Sequence, residues 1–266
     1  MHLIPVVLLN VLSAAVLFCL GSALGKKAAS RASRSWLLLA GILLAAPGLL
    51  FALYYTHIFD NAAWFYSFRV LPLTEFLPGG TGLLAGVLHS RFEPETLGQK
   101  LLFPGALLVV VVIPFVKPLL DPIELARLRD HCEGEVCMQS TFSTCGPSSA
   151  ATLLKAFGQT ASEKQLAGEC LTSRGGTEIW YIARAFKRRG FRERVLIQQP
   201  NSPSLPSPAI AGVVLRGGAG HFIAIMSQTA DEVTIGDPMK GKLVVKKADL
   251  KIYYKFTGFF LVVQPQ

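Results

Sequence analysis

Long uncharged runs fill the first 120 residues, and short apolar runs separated by turn signals fill the end of the chain. Leu3–Leu24 carries no charge and is 22 residues long, against the roughly 20 that a helix needs to cross a bilayer. It lacks a basic leading segment and a small-residue cleavage site, so it reads as an uncleaved anchor rather than a signal peptide. Trp36–Phe59 predicts a second span, with Trp36 and Tyr54-Tyr55 as interfacial anchors and a bend at Pro47-Gly48. Leu101–Leu120 predicts another, with its apolar centre at Val109–Val112 and Lys117 snorkelling near its end.

The stretch Asn61–Ser90 is ambiguous. Arg69, Pro72, Glu75, Pro78, Gly79 and Gly80 interrupt it, yet Phe76–Leu88 is apolar. It fits either a span starting near Val70, with Glu75 close to the headgroups, or an interfacial or re-entrant segment. Lys26, Lys27, Arg31 and Arg34 crowd the first short loop, which the positive-inside rule places in the cytoplasm and the N-terminus outside. Four spans then put the rest of the chain outside, and three put it in the cytoplasm. The loop Arg91–Lys100 holds two bases and two acids and does not decide. We take four spans, with the C-terminal part extracytoplasmic.

After Leu120 the pattern is that of a globular domain. The sequence predicts a connector over 121–134 that is charged and helix-compatible from Asp121 to Asp130. A helix should open at Cys145 and stop at Gly158, and a short one at the Ser162–Gln165 capping box. A third is expected over Glu178–Arg189, with Thr177 as N-cap and Ile179, Ile182, Ala183 and Phe186 facing the core. Lys187-Arg188-Arg189 in its last turn reads as a solvated, dipole-matched face. Strands are expected at Arg194–Gln198, Ala209–Leu215, His221–Met226, Val233–Ile235, Lys242–Val245 and Gly258–Val263, around a Pro/Ser loop at 200–208. Helices followed by an antiparallel sheet make an α+β domain over 135–266, behind a helical transmembrane domain over 1–120.

Composition agrees with this division. Half the chain is hydrophobic, the mean hydropathy is +0.44, and only 16% of residues are charged, against about 25% in soluble proteins. The net charge of +9 divides as +4 before residue 121 and +5 after it. No aromatic-basic stripe or Gly-rich phosphate loop accompanies it, so contact with a lipid bilayer accounts for the charge better than nucleic acid does.

The candidate chemistry centres on Gln139 and on Cys145-Gly146-Pro147. A Cys in a first helical turn meets unpaired backbone N–H groups and the positive end of the helix dipole, a setting that suits a nucleophilic thiol. Pro147 tolerates an early helical position. The Gln139 amide and the Cys145 N–H are candidate oxyanion donors. His221, after flexible glycines and opening an apolar run, is a candidate base, and Asp237, ahead of Pro238, a candidate orienter. Taken singly, a Cys on an apolar helix, a His before a strand and an Asp-Pro turn are ordinary structural features. The order Gln, Cys, His, Asp is that of papain-like cysteine peptidases.

The pieces Gln139, Cys145-Gly146-Pro147, His221-Phe222 and Asp237-Pro238 resemble the bacteriocin-processing peptidases of that clan, which cut leader peptides after a double glycine. The resemblance covers roughly residues 135–264. It implies an α+β papain-like fold, a triad of Cys145, His221 and Asp237 with Gln139 in the oxyanion hole, a peptide or protein substrate, and a small residue such as Gly before the cut. It implies no metal or cofactor. It does not extend to the N-terminal half, and no ATP-binding domain follows, so a separate export machinery would be the partner for transport. A bacterial cytoplasmic-membrane location goes with it. The alternatives are a catalytically weak peptide-binding or export-accessory module, and acyl transfer in place of hydrolysis.

In the soluble part Cys132, Cys137 and Cys170 remain. A Cys137–Cys170 disulfide would imply an oxidising compartment. Three reduced thiols are the other reading, and Cys132-x4-Cys137 is a weak zinc pattern.

Overall fold

The computed structural model describes residues 3–92, 96–200, 202 and 205–265. In chain order the helices are α1 (Leu3–Lys27), α2 (Arg31–Tyr54), α3 (Ala63–Val70), α4 (Thr81–His89), α5 (Leu97–Val112), α6 (Val116–Leu120), α7 (Cys145–Ala156), α8 (Glu163–Glu169), α9 (Ile179–Arg188) and α10 (Leu250–Tyr253). The strands are β1 (Cys132–Glu133), β2 (Val136–Cys137), β3 (Phe191–Ile197), β4 (Ala209–Val214), β5 (Gly220–Gln228), β6 (Glu232–Asp237), β7 (Gly241–Lys246) and β8 (Lys255–Pro265). The acids Glu93 and Glu95 of the loop 91–100, and Asn201, Pro203 and Ser204 of the Pro/Ser loop, lie outside the described residues. Two compact units form, one from Met1–Asn61 and Pro72–Val116, the other from Ala62–Leu71 and Lys117–Gln266.

Among the described residues, three helices are long and apolar enough to cross a membrane: Leu3–Lys27, Arg31–Tyr54 and Leu97–Leu120. The second begins at Arg31, not Trp36, because the Ser30 side chain accepts from the Ser33 N–H and caps it there. Arg31 and Arg34 therefore lie in its first turns. The ambiguous stretch breaks after Val70 and resumes as a 3₁₀ turn, Thr74–Gly80, running into α4. Counted as one interrupted span, it would make four.

Glycines set how α4 packs. A Cβ on Gly82 would lie 2.2 Å from the Ala14 carbonyl oxygen, and one on Gly86 would lie 2.1 Å from that of Phe18. Gly79 likewise faces Asn10 and Ser13. Contacts at 79, 82 and 86 with 10–13, 14 and 18 mean that α4 runs alongside α1 in the same direction, backbone against backbone, as small residues permit in lipid. Asn10 is fully buried and donates to the Glu75 and Val111 carbonyls at 3.0 and 3.1 Å. Its amide satisfies backbone acceptors where two helical segments are irregular, which hydrocarbon would otherwise leave unpaired.

The second unit is α+β. Its sheet is six-stranded and antiparallel throughout, in the order β3-β8-β4-β5-β6-β7. All six expected strands form, and most run longer than their apolar stretches because ladder pairing carries polar flanks such as Lys255 and Gln264 into register. One sheet face buries Ala211, Val213, Ile223, Ile225, Val233, Ile235, Phe256 and Phe260 in a single cluster. Helices α7 and α9 pack on the sheet. Gly158 follows the end of α7 with φ +75°, the left-handed stop that glycine accepts without strain.

Several expectations change here. The connector over 121–134 is not helical beyond the turn Leu125–Arg127, and Pro122 bridges to Ser173 instead. The N-cap of α9 is Glu178; the Thr177 hydroxyl is engaged with that of Thr172 at 2.8 Å. Ser162 caps α8, but Gln165 bonds forward to Glu169 instead of closing the box. The basic end of α9 is not simply solvated. Arg189 bonds both oxygens of Glu169 at 2.8 Å, and these bonds foremost hold that carboxyl down to about 2.

α9 is buried over more than one stripe. Trp180, Tyr181 and Ala185 are covered as well as Ile179, Ile182, Ala183 and Phe186. Helix α3, whose residues were expected within the transmembrane region 1–120, belongs to this second unit and covers Trp180. The Arg69 guanidinium lies 4.3 Å from the centre of the Trp180 ring, and Tyr66 meets Phe259 at 5.0 Å. Arg184 donates to the carbonyls of Arg69, Val70 and Leu71 and so closes the C-terminus of α3.

The disulfide is Cys132–Cys137, and the candidate Cys137–Cys170 pairing does not form. Strands β1 and β2 make a tight antiparallel hairpin in which Cys132 stands directly opposite Cys137, while Cys170 is buried as a free thiol after α8. The two hairpin sulfurs are spent on each other, which also removes the zinc reading.

Candidate active site

The sheet assembles the basic half of the site. In β5 and β6 side chains alternate between faces, so His221 falls in line with Ile223 and Ile225, and Asp237 with Val233 and Ile235, all on the buried face. The pairing of Ala224 with Gly236 brings the start of β5 beside the end of β6. His221 Nε2 and Asp237 Oδ1 meet at 3.0 Å. Asp237 is fully buried and His221 is 5% exposed. Asp237 Oδ1 also accepts from the Met239 N–H at 2.9 Å, and Oδ2 from the Tyr254 hydroxyl at 2.7 Å. Burial works against the Asp237 charge, but these donors outweigh it and hold its carboxyl below the usual range.

The helical side supplies the thiol. Cys145 is the first residue of α7, after Thr144, and it is a free, buried cysteine. Gly146 lets α7 approach α9, since a Cβ there would stand 2.7 Å from Ile182 Cδ1. The Ser149 hydroxyl donates to the Phe222 carbonyl at 3.0 Å and ties α7 to β5 next to His221. Burial disfavours the charge on His221, but its bonds to Asp237 and then to Cys145 prevail and lift its pKa to about 9. His221 is thus held by Asp237 at Nε2, which leaves Nδ1 for another partner.

Gln139 lies on the loop before α7. Its backbone N–H donates to the Pro238 carbonyl at 3.0 Å, so the loop is fastened to the turn that follows Asp237. One side-chain N–H donates to the Thr141 carbonyl at 2.9 Å, which leaves the second N–H of the amide for another acceptor. Glu163 of α8 clamps the same loop: it is buried and accepts from the Ser140 N–H at 2.6 Å and from the Ser140 hydroxyl. Nothing in the residue pattern connects Glu163 or Tyr254 with the site. Each acts through a long-range contact, and neither residue type at its position carries a spacing signal.

A thiol on a helix N-terminus, an imidazole opening a strand, and a buried carboxylate behind it on a helix-then-sheet scaffold define a papain-like cysteine peptidase. The chain belongs to the Peptidase C39 family, whose model matches residues 134–266. An uncharacterized protein of Methanothermobacter thermautotrophicus is 33% identical over 130 residues, 48% of this chain and 87% of its own. The lactococcin-G-processing and transport ATP-binding protein LagD of Lactococcus lactis is 24% identical over 135 residues, 50% of this chain and 19% of LagD. Among solved structures, a double glycine motif protease from an AMS/PCAT transporter, in complex with its leader peptide, aligns with a TM-score of 0.42 at 22% identity, over 53% of this chain and 96% of that one. The peptidase domain of Streptococcus ComA, a bi-functional ABC transporter involved in a quorum sensing pathway, aligns with a TM-score of 0.38 at 23% identity, over 53% and 98%.

Proposed function

We propose that this cysteine peptidase is a membrane-anchored endopeptidase that cuts peptide precursors after small residues such as Gly-Gly. The buried His221–Asp237 pair, together with the free thiol of Cys145 at the start of α7, carries the reading. The Cys145 sulfur attacks the scissile carbonyl and forms the thioester bond as the C–N bond breaks. His221 delivers its proton to the leaving amine. Water, activated by the neutral imidazole, then hydrolyses the thioester and frees the thiol. Asp237 holds the imidazole in orientation, and the free Gln139 N–H with the Cys145 N–H stabilises the oxyanion. The double-glycine preference is supported by membership of the family and by LagD, a relative named for processing and transport. To test it, the full chain in detergent is incubated with a synthetic precursor that carries one internal Gly-Gly, and the products are weighed. A single cut after the second Gly is expected; no cut, or cuts elsewhere, would refute the specificity.

The same proposal places the peptidase outside the cytoplasm. α4 runs in the direction of α1, so the chain returns to the basic end of α1 before α5 leads away. Lys117 would then follow on the side where α1 begins. The Cys132–Cys137 disulfide supports an oxidising side. Alkylation of sealed membranes without reductant should leave Cys132 and Cys137 unlabelled, and reduction should expose both. Cys170, which burial pushes up to about 12, should stay silent in either state. Labelling of the hairpin pair without reductant would sink the extracytoplasmic assignment.

A further inference from the structure

We infer that Tyr254 is a positioning residue for the catalytic carboxylate, fixing the plane of Asp237 so that its Oδ1 faces His221; the inference rests on the triad assigned above. The two oxygens of Asp237 have different duties. Oδ1 serves His221 and the Met239 N–H. Oδ2 takes the Tyr254 hydroxyl at 2.7 Å, and the next donor, Lys240 Nζ, is 3.9 Å away on a side chain 48% exposed. A carboxylate held at one oxygen only can turn about its Cβ–Cγ bond. Held at both, it presents a lone pair to the imidazole in a single orientation.

Tyr254 is itself immobilised for the task. It is 3% exposed and lies in the apolar cluster on the sheet face, with Phe256 6.1 Å away. Its N–H donates to the Leu250 carbonyl at 2.9 Å, which fixes it to the single turn of α10. Lys240 Nζ sits 4.8 Å from the centre of its ring, so one cation touches both phenol and carboxylate. Burial first, and then Asp237, push the phenol above its ordinary range, so it stays protonated and donates while the carboxylate accepts. A tyrosine filling the core alone would need no partner at its oxygen beyond one that satisfies it. Here the partner is the carboxylate that orients the candidate base.

Tyr254→Phe keeps the ring and removes only the hydroxyl. In the full chain in detergent, two readouts separate alignment from packing: the rate at which iodoacetamide alkylates Cys145, mapped by mass, and turnover of a fluorogenic Gly-Gly coumarin amide. Tyr254→Phe should slow both about tenfold, the weight of one hydrogen bond to a charged acceptor, with KM unchanged. Asp237→Asn should slow them further, and adding Tyr254→Phe to it should cost nothing more, because the phenol then has no carboxylate to align. Wild-type alkylation in Tyr254→Phe beside a slowed Asp237→Asn would overturn the inference. So would a further loss in the double variant, which would make Tyr254 merely structural. An unaffected Asp237→Asn would instead remove Asp237 from the triad, a different failure.

Discussion

Cys145→Ala is expected to abolish peptide cleavage, lowering the rate by about 10⁴-fold or more while the fold survives. The substitution removes one sulfur at the first turn of α7 and leaves the His221–Asp237 bond intact. A variant that still cuts would exclude a thiol mechanism. The pH profile of the wild-type chain should carry a second mark of the same pair. Because the folded-state pKa of His221 is raised to about 9, hydrolysis should hold up to about pH 9 and fall above it, as the proton destined for the leaving amine is lost. Alkylation of Cys145 needs no such proton and should not fall there. The shift also has a sign for stability: its contribution is fully present below about pH 6.5 and is lost as pH rises through the folded value. A hydrolysis limb near 6.5 would mean that Asp237 and Cys145 do not hold the imidazolium.

Gly86→Leu should be the most damaging single change in the first unit. Its Cβ alone would press to 2.1 Å from the Phe18 carbonyl oxygen and 2.8 Å from the Ser22 nitrogen, both backbone atoms that cannot swing aside. Separating α1 from α4 should cost about 3 kcal/mol and lower the unfolding midpoint in detergent on the order of 10 °C. Gly105→Leu on α5 is the matched control, since nothing lies within 4 Å of a Cβ there; it should leave the midpoint unchanged or raise it. Equal melting of the two variants would mean that α4 does not pack against α1 through its glycines.

The candidate site residues were legible because chemistry restricts them. A nucleophile, a base and an orienter admit few residue types, and the turns around Cys145 and Asp237 mark where elements start and stop. The six strands were legible from period and punctuation. What escaped depended on pairing at a distance. Cys137 has several possible partners until the hairpin register sets Cys132 opposite it. Helix α3 was hidden because Ala63–Val70 is aromatic and short, and only the presence of Trp180 and Phe259 decides what its rings cover. Tyr254 reads like any aromatic in an apolar run, since its role lies at one oxygen.

Helix α3 makes the peptidase unit discontinuous in the gene. A fragment cut to the boundaries of the family match, residues 134–266, would leave out Ala62–Leu71. It would uncover the indole of Trp180 and leave Arg184 without its three carbonyl acceptors. The catalytic portion is therefore not an interchangeable cassette that can be lifted onto another carrier with a single cut. Any graft must bring along a helix encoded between two membrane-type segments, and recombination that separates the two coding regions would strip the enzyme of part of its own core.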